Sequence, residues 1–271
     1  DGKVLGTGGS LAKNPEKYLR EHVWLDGVIT NYVLNECIEF LSNKNDSINI
    51  AFIDENKKFR HVKKELQNNF ILKIGNHKDL NSKIYFLPQI STDKLTTIST
   101  SWGCPYKCSY CVSATLNYSF RSAQSIFDEI SDCYKRGING FFFRDNVFGI
   151  NKRQTKELAD LIEKNDLKIQ YVTDARIDYI DDETIKHLIR IGKPSLNFGI
   201  ESKNKQTLTN YNKGLKHDRI KELISKCKKN NITTTGYFIL GLPGESEKDV
   251  LDTIEYSTKL GLDFASYNLP I

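Results

Sequence analysis

From Leu95 onward two hydrophobic periods take turns along the chain. "KLTTISTS" (94–101), "INGFFFRD" (138–145), "LKIQYVTD" (167–174), "PSLNFGIE" (194–201), "ITTTGYFILG" (232–241) and "LDFASYNLP" (262–270) are short and rich in β-branched or aromatic residues, the pattern of strands. Helical stretches lie between them. "SAQSIFDEISDCYKRG" puts Ile126, Phe127, Ile130, Cys133 and Tyr134 on one stripe, with Ser122 as N-cap and Gly137 as the stop. "KRQTKELADLIEKN" turns Leu158, Leu161 and Ile162 inward. "DDETIKHLIRIG" is capped by Asp181 and ended by Gly192, "HDRIKELISKCKKNN" comes next, and "ESEKDVLDTIEYSTKLG" carries Ser246 and Asp249 at capping-box spacing. Strands alternating with helices predict right-handed βαβ units and a parallel sheet. Six such units without a Gly-rich phosphate fingerprint favour a partial (β/α)6-type barrel over a doubly wound sheet. Ligands of such folds sit at the C-terminal ends of the strands.

The first ninety or so residues have another pattern. "GKVLGTGGS" reads as a short strand running into a Gly-rich turn, "TNYVLNECIEFLSN" as an amphipathic helix, and "SINIAFIDENKKFR" as strand, turn and strand. The expected organisation is part of a separate α/β domain over 1–60, a connector over 61–93, and the barrel over 94–271.

Composition narrows the class. In 271 residues, 39% are hydrophobic and 27% charged, enough apolar material for a large core. The net charge of +5 comes from lysines scattered along the chain, the mark of solvated helix faces, so no nucleic-acid partner is expected. No apolar run approaches a membrane span, and six cysteines in a lysine-rich chain of this length do not form a disulfide framework, so the expected location is the cytoplasm. The chain starts at Asp1 and holds no methionine, which suggests a piece of a longer protein.

The chemistry concentrates in "SWGCPYKCSYC" (101–111), directly after the first barrel strand. Cys104, Cys108 and Cys111 form C-x3-C-x2-C. Thiolates are soft ligands that select iron–sulfur clusters, zinc or copper(I). A structural zinc would want a fourth ligand from a second pair, and an electron carrier would want four cysteines. Cys37, Cys133 and Cys227 are single and sit on helical stripes, as buried small hydrophobes do. Three thiolates can hold three irons of a [4Fe–4S] cluster and leave the fourth iron open.

Taken with "TSWGCPYKCSYC", the segments "FFFRDNVFGIN", "TDARIDYID", "FGIESKNKQTLTNYNKG" and "GYFILGLPGE" resemble, in order, the strand ends of the radical S-adenosylmethionine (radical SAM) superfamily over residues 95–271. The resemblance implies a [4Fe–4S] cluster on Cys104, Cys108 and Cys111 whose open iron chelates S-adenosylmethionine (SAM) and cleaves it reductively to a 5′-deoxyadenosyl radical. It further implies that Tyr110 lies against the adenine and that Asp145, Arg176, Glu201 and Ser202 meet the carboxylate, amine or ribose of SAM. Gly241 and Leu242 of "GLPG" would let backbone approach the adenine. "VLGTGGS" followed by the helix-forming stretch "DGVITNYVLNECIEFL" resembles the tail of the Rossmann-like cobalamin-binding domain of the B12-associated group, with Gly8 and Gly9 against the nucleotide tail of cobalamin. The partners this implies are a small-molecule or peptide substrate and an electron donor such as flavodoxin or ferredoxin. Two other readings stay open: a cobalamin-independent enzyme of the methylthiotransferase type, and a non-enzymatic iron–sulfur protein.

Overall fold

The computed structural model describes residues 2–31, 36–42, 48–77, 84–92 and 94–270. They form two compact units: residues 1–67 with 102–106 and 110–119, and residues 68–101 with 107–109 and 120–271. These boundaries do not coincide with the expected ones. The stretch 61–93 is shared between the units at 67/68, and most of the cysteine segment falls with the first.

In the first unit, β1 (Leu5–Gly6), α1 (Gly9–Lys13), α2 (Pro15–Glu21), β2 (Gly27–Ile29), α3 (Glu36–Leu41), β3 (Ile50–Ile53) and β4 (Phe59–His61) succeed one another. The sheet runs β1-β2-β3-β4, parallel at its first pair and antiparallel at the other two. Asp54 shapes the β3–β4 turn by accepting from the Asn56 and Lys58 amides at 3.0 and 2.9 Å. Val28, Ile50 and Ala51 are fully buried. The helix expected after the Gly-Gly pair needs correction. Residues 27–29 of "DGVITNYVLNECIEFL" form β2, because β-branched Val28 and Ile29 find backbone partners on β3, and Gly27 and Val28 pair with β1. Helix resumes at Glu36, and residues 32–35 of that stretch lie outside the described residues. The helix that begins at the Gly8-Gly9 pair itself is the short α1.

The second unit contains β5 (Leu95–Ile98). The cysteine segment after it is flanked by the short strands β6 (Ser101–Trp102) and β7 (Ser119–Phe120), which pair with each other. Then come α4 (Ala123–Lys135), β8 (Gly140–Phe148), α5 (Lys152–Lys164), β9 (Gln170–Ala175), α6 (Asp182–Ile191), β10 (Lys193–Glu201), α7 (Lys205–Asn210), α8 (His217–Lys229), β11 (Thr233–Ile239), α9 (Glu247–Lys259) and β12 (Phe264–Asn268). The caps read from sequence are made. Ser122 and Asp181 accept from the amides of Ser125 and Thr184, and Ser246 and Asp249 close a capping box; Asn151, not foreseen, accepts from the Gln154 amide. Helix α7 was not foreseen; Asn204 caps it.

The six strands are parallel and stand in chain order, β5-β8-β9-β10-β11-β12. A doubly wound sheet would reverse direction at its midpoint; this one never does, which is the order of a partial barrel. Strand alternation gives each strand two faces. Phe141, Phe143, Tyr171, Leu196, Phe198 and Phe238 pack with the apolar stripes of the helices into one core. The intervening residues occupy the opposite face. A buried charged cluster supports the unit from the side of α4. Arg121, fully buried, donates to the Glu129 carboxylate and to the Ser99 and Ser125 carbonyls. His77 Nε2 lies 2.8 Å from the other Glu129 oxygen. Among the described residues no helix is long and apolar enough to cross a membrane.

A three-cysteine loop at the strand ends

The chain leaves β5 through Ser99 and Thr100 and turns at Gly103 into the cysteine loop. Gly103 has φ +71°, and a Cβ there would stand 2.1 Å from the Asn117 carbonyl oxygen, so only glycine fits. Cys108 is 6% exposed, while Cys104 and Cys111 are half-buried. The Cys108 thiol points at the Asn212 carbonyl (3.8 Å), and Arg176 Nη1 lies 3.5 Å from its sulfur. The Ser109 amide donates to Tyr211 O at 3.1 Å. Among the described residues no group of three or more His, Cys, Asp or Glu side chains is placed to hold a metal ion. The donor set is nonetheless that of an iron–sulfur site: three soft sulfurs within eight positions, the buried one facing a guanidinium. Cys133 and Cys227 offer the contrast. Both are buried in the helix-side core, and burial pushes each thiol up to about 12, far from the thiolate a metal needs. Cys37, half-buried, is pushed up by burial as well.

The other expected site residues are distributed unevenly. Arg176 reaches Cys108, pairs with Asp178 (2.7 Å) and donates to the Lys213 carbonyl. Glu201 ends β10 in the left-handed region, φ +68°, after a register shift in the strand. Its carboxylate is paired with Lys213 Nζ at 2.9 Å, both side chains about nine-tenths buried. The pair lies across Gly199, where a Cβ would come within 2.4 Å of Glu201 Oε1 and 2.8 Å of Lys213 Nζ. Ser202 is fully buried and serves the turn: its hydroxyl donates to Glu245 Oε1 (2.5 Å) and accepts from the Asn204 amide. Gly241, with φ +80°, and Leu242, 4% exposed, both donate their amides to Glu245 Oε2 at 3.2 Å. Tyr110 is half-buried in the loop. In the first unit Gly8 caps α1 with φ +129° and open space where a Cβ would be, and Gly9 begins the helix.

Asp145 takes a different place from the expected one. It is 3% exposed, and its oxygens accept from the Thr100 amide (2.7 Å), the Ser101 amide (2.8 Å) and the Thr100 hydroxyl. It therefore clamps the backbone that leads into the cysteine loop. Burial raises its carboxyl from 3.8 to about 6, against the pull of those donors. The folded state holds this proton more tightly than the unfolded chain does. Stability is therefore fully present below about pH 4, falls as pH rises to about 6, and stays lower above it. Asp145→Asn keeps an oxygen for both amides and removes the buried charge. Thermal melts at pH 8 should show the variant more stable by up to about 3 kcal/mol, with no gain at pH 3.5. An unchanged or larger advantage at acid pH would contradict this.

Lys213, Tyr211 and Glu245 were not singled out from sequence. Lys213 carries its signal in being the one basic residue of "TNYNKG". Tyr211 holds Ser109 by its carbonyl and donates its hydroxyl to Pro243 O at 3.1 Å, so residues 211–213 join the cysteine loop, Arg176, Glu201 and the "GLPGE" loop.

Comparison with known proteins gives the family of the chain. The family model described as "Radical SAM superfamily" matches residues 98–257. An uncharacterised methyltransferase of Pyrococcus horikoshii is 28% identical over 64% of this chain and 38% of its own length. The bacteriochlorophyllide d C-8(2)-methyltransferase of Chlorobaculum tepidum is 25% identical over 63% of this chain and 41% of its own. Among solved structures, the methyltransferase TsrM of Kitasatospora setae, with cobalamin and a [4Fe–4S] cluster bound, superposes with a TM-score of 0.76 at 18% identity, over 98% of this chain and 55% of that one. OxsB, described as a cobalamin-dependent S-adenosylmethionine radical enzyme, gives 0.69 at 18% identity, over 93% of this chain and 38% of that one. The chain thus spans well under two thirds of the length of these relatives.

Proposed function

Given that this chain belongs to the radical SAM superfamily, we propose that it is the core of a cobalamin-dependent methyltransferase acting on a small molecule. Its [4Fe–4S] cluster is held by Cys104, Cys108 and Cys111. The observation that carries this reading is the buried Cys108, set against Arg176 in a loop that leaves the first barrel strand at its C-terminal end. A cluster held there would supply the electron for reductive cleavage of SAM into methionine and a 5′-deoxyadenosyl radical. The protein's part is placement. Asp145 fixes the exit of β5, Arg176 and residues 211–213 fix Cys108, and Glu245 holds the Gly241–Leu242 amides in place beside the strand ends. Glu201, held by Lys213, would meet the amine or ribose of SAM, and Tyr110 the adenine. A one-electron donor protein reduces the cluster.

Cobalamin would carry the methyl group, and Gly8 and Gly9 would border its nucleotide tail. The open space at Gly8 and its left-handed backbone fit a close approach that a side chain would block. The cover of TsrM and OxsB over both units of this chain supports this choice over the methylthiotransferase type. Anaerobically reconstituted full-length protein should bind about four irons and take up hydroxocobalamin with a shifted visible spectrum. Gly9→Leu should prevent the uptake and leave the iron in place. Methyl transfer without cobalamin, with no spectral change on its addition, would decide for the cobalamin-independent reading.

A further inference from the structure

The sheet face of the second unit that lies away from its helices carries polar side chains where the helix side is apolar. Arg144 on β8, Asp174 on β9, Asn197 on β10 and Tyr237 on β11 stand on four successive strands, and Asn197 is in register with both Asp174 and Thr235. Asn197 Nδ2 donates to Asp174 Oδ1 at 3.0 Å. Burial raises the Asp174 carboxyl, and Asn197 and the Arg144 charge pull it back. Burial likewise raises the Tyr237 hydroxyl, Asp174 adds to that, and Arg144 and Asn197 oppose it. The four side chains therefore share one neighbourhood.

Two facts about that neighbourhood are unusual. Asn197 is 2% exposed, yet its Oδ1 is buried with no hydrogen-bond partner. Ser195 Oγ, two positions earlier on the same face, and Gln89 Oε1, whose amide donates to Thr235, are buried and unpartnered too. Buried acceptors are costly unless a donor reaches them. The second fact concerns charge. Among the described residues Arg144 and Asp174 form no ion pair with each other or with anything else; Arg144 rests on the Phe142 ring, 4.9 Å from its centroid. Where this unit needs an arginine for structure it closes the pair, as Arg190 does on Asp160 and Glu163. An exposed arginine and a half-buried aspartate on one face of the sheet, beside orphan acceptors and two aromatic rings, are complementary to a ligand that carries both charges itself. The nearby guanidinium disfavours a metal cation there.

We propose that this face is the substrate seat and that it takes the zwitterion of a free α-amino acid. The carboxylate lies on Arg144, the ammonium on Asp174 and Asn197 Oδ1, and the side chain beside Phe142 and Tyr237. An ammonium brings three donors and no acceptor, which is what the orphan oxygens lack. Calling the ligand a substrate rests on the function proposed above; the binding itself does not.

Calorimetric titration of the full-length protein, without cluster or SAM, with each protein amino acid tests this. At least one should bind at a single site. Its methyl ester and its N-acetyl derivative should each bind about tenfold more weakly or worse. Arg144→Gln should weaken the free acid similarly but leave the ester no weaker than before, and Asp174→Asn should do the same for the N-acetyl form. Absence of binding by every amino acid would overturn the proposal. So would equal affinity for the blocked derivatives, which need no variant, or affinity unchanged in both variants. Iron content and 5′-deoxyadenosine release, measured on the same preparations, report on the cluster reading separately.

Discussion

Cys108→Ala should abolish the iron–sulfur cluster and with it all reductive cleavage of SAM. Cys108 is the buried member of the trio, the one that faces Arg176 and the Asn212 carbonyl. Two thiolates on a loop cannot hold three irons, so the loss is of the whole group and not of a fraction of affinity. Reconstituted variant protein should show iron near background, no charge-transfer absorption and no 5′-deoxyadenosine with dithionite. Its circular dichroism should match that of the parent chain, since the loop is held independently by Asp145 and by the fit of Gly103. Cys133→Ala and Cys227→Ala should retain a full complement of iron, because their thiols sit in the core with no route to the loop. Retention of iron in Cys108→Ala, or its loss in Cys133→Ala, would assign the cluster to other ligands.

The largest loss of stability is expected at Glu129. Its two oxygens are divided between fully buried Arg121 and buried His77. Glu129→Ala leaves the Arg121 guanidinium charged and without its carboxylate in the interior. Breaking one side of such a pair costs roughly 3–5 kcal/mol. For a chain of this size that is a fall in Tm on the order of 10 °C. Replacing both partners with apolar residues, Arg121→Met with Glu129→Leu, removes the stranded charge and should cost less than Glu129→Ala alone. Differential scanning calorimetry of the two variants decides the point; a double variant less stable than the single one would mean that the pair contributes net stability beyond its own desolvation.

The barrel was legible because its signals are local. Ser122, Asp181 and the Ser246–Asp249 box announce helix starts within four residues, and the β-branched runs announce the strands between them. The cysteine loop was legible because its three cysteines are close in sequence. The features that escaped depend on residues far apart in the chain. Nothing near Asp145 says that it will reach back to Thr100 and Ser101, so its place at a strand end suggested a ligand contact and concealed a clamp. Nothing near Lys213 says that Glu201 waits twelve residues earlier in a left-handed conformation. In the first unit "DGVITNYVLNECIEFL" has helical spacing of apolar residues, but the strand pairing offered by β1 and β3 overrides it at Gly27–Ile29.

The two-sided strands have a consequence for how such a protein can diversify. Phe141, Phe143, Leu196 and Phe198 hold the sheet to its helices, while Phe142, Arg144, Ser195 and Asn197 alternate with them on the other side. With the ligand seat proposed above on that other side, stability and ligand choice would be written on alternate positions of the same short segments. A descendant lineage can rewrite one set while the other stays untouched, so new substrates become accessible through single substitutions that never pass through an unfolded ancestor.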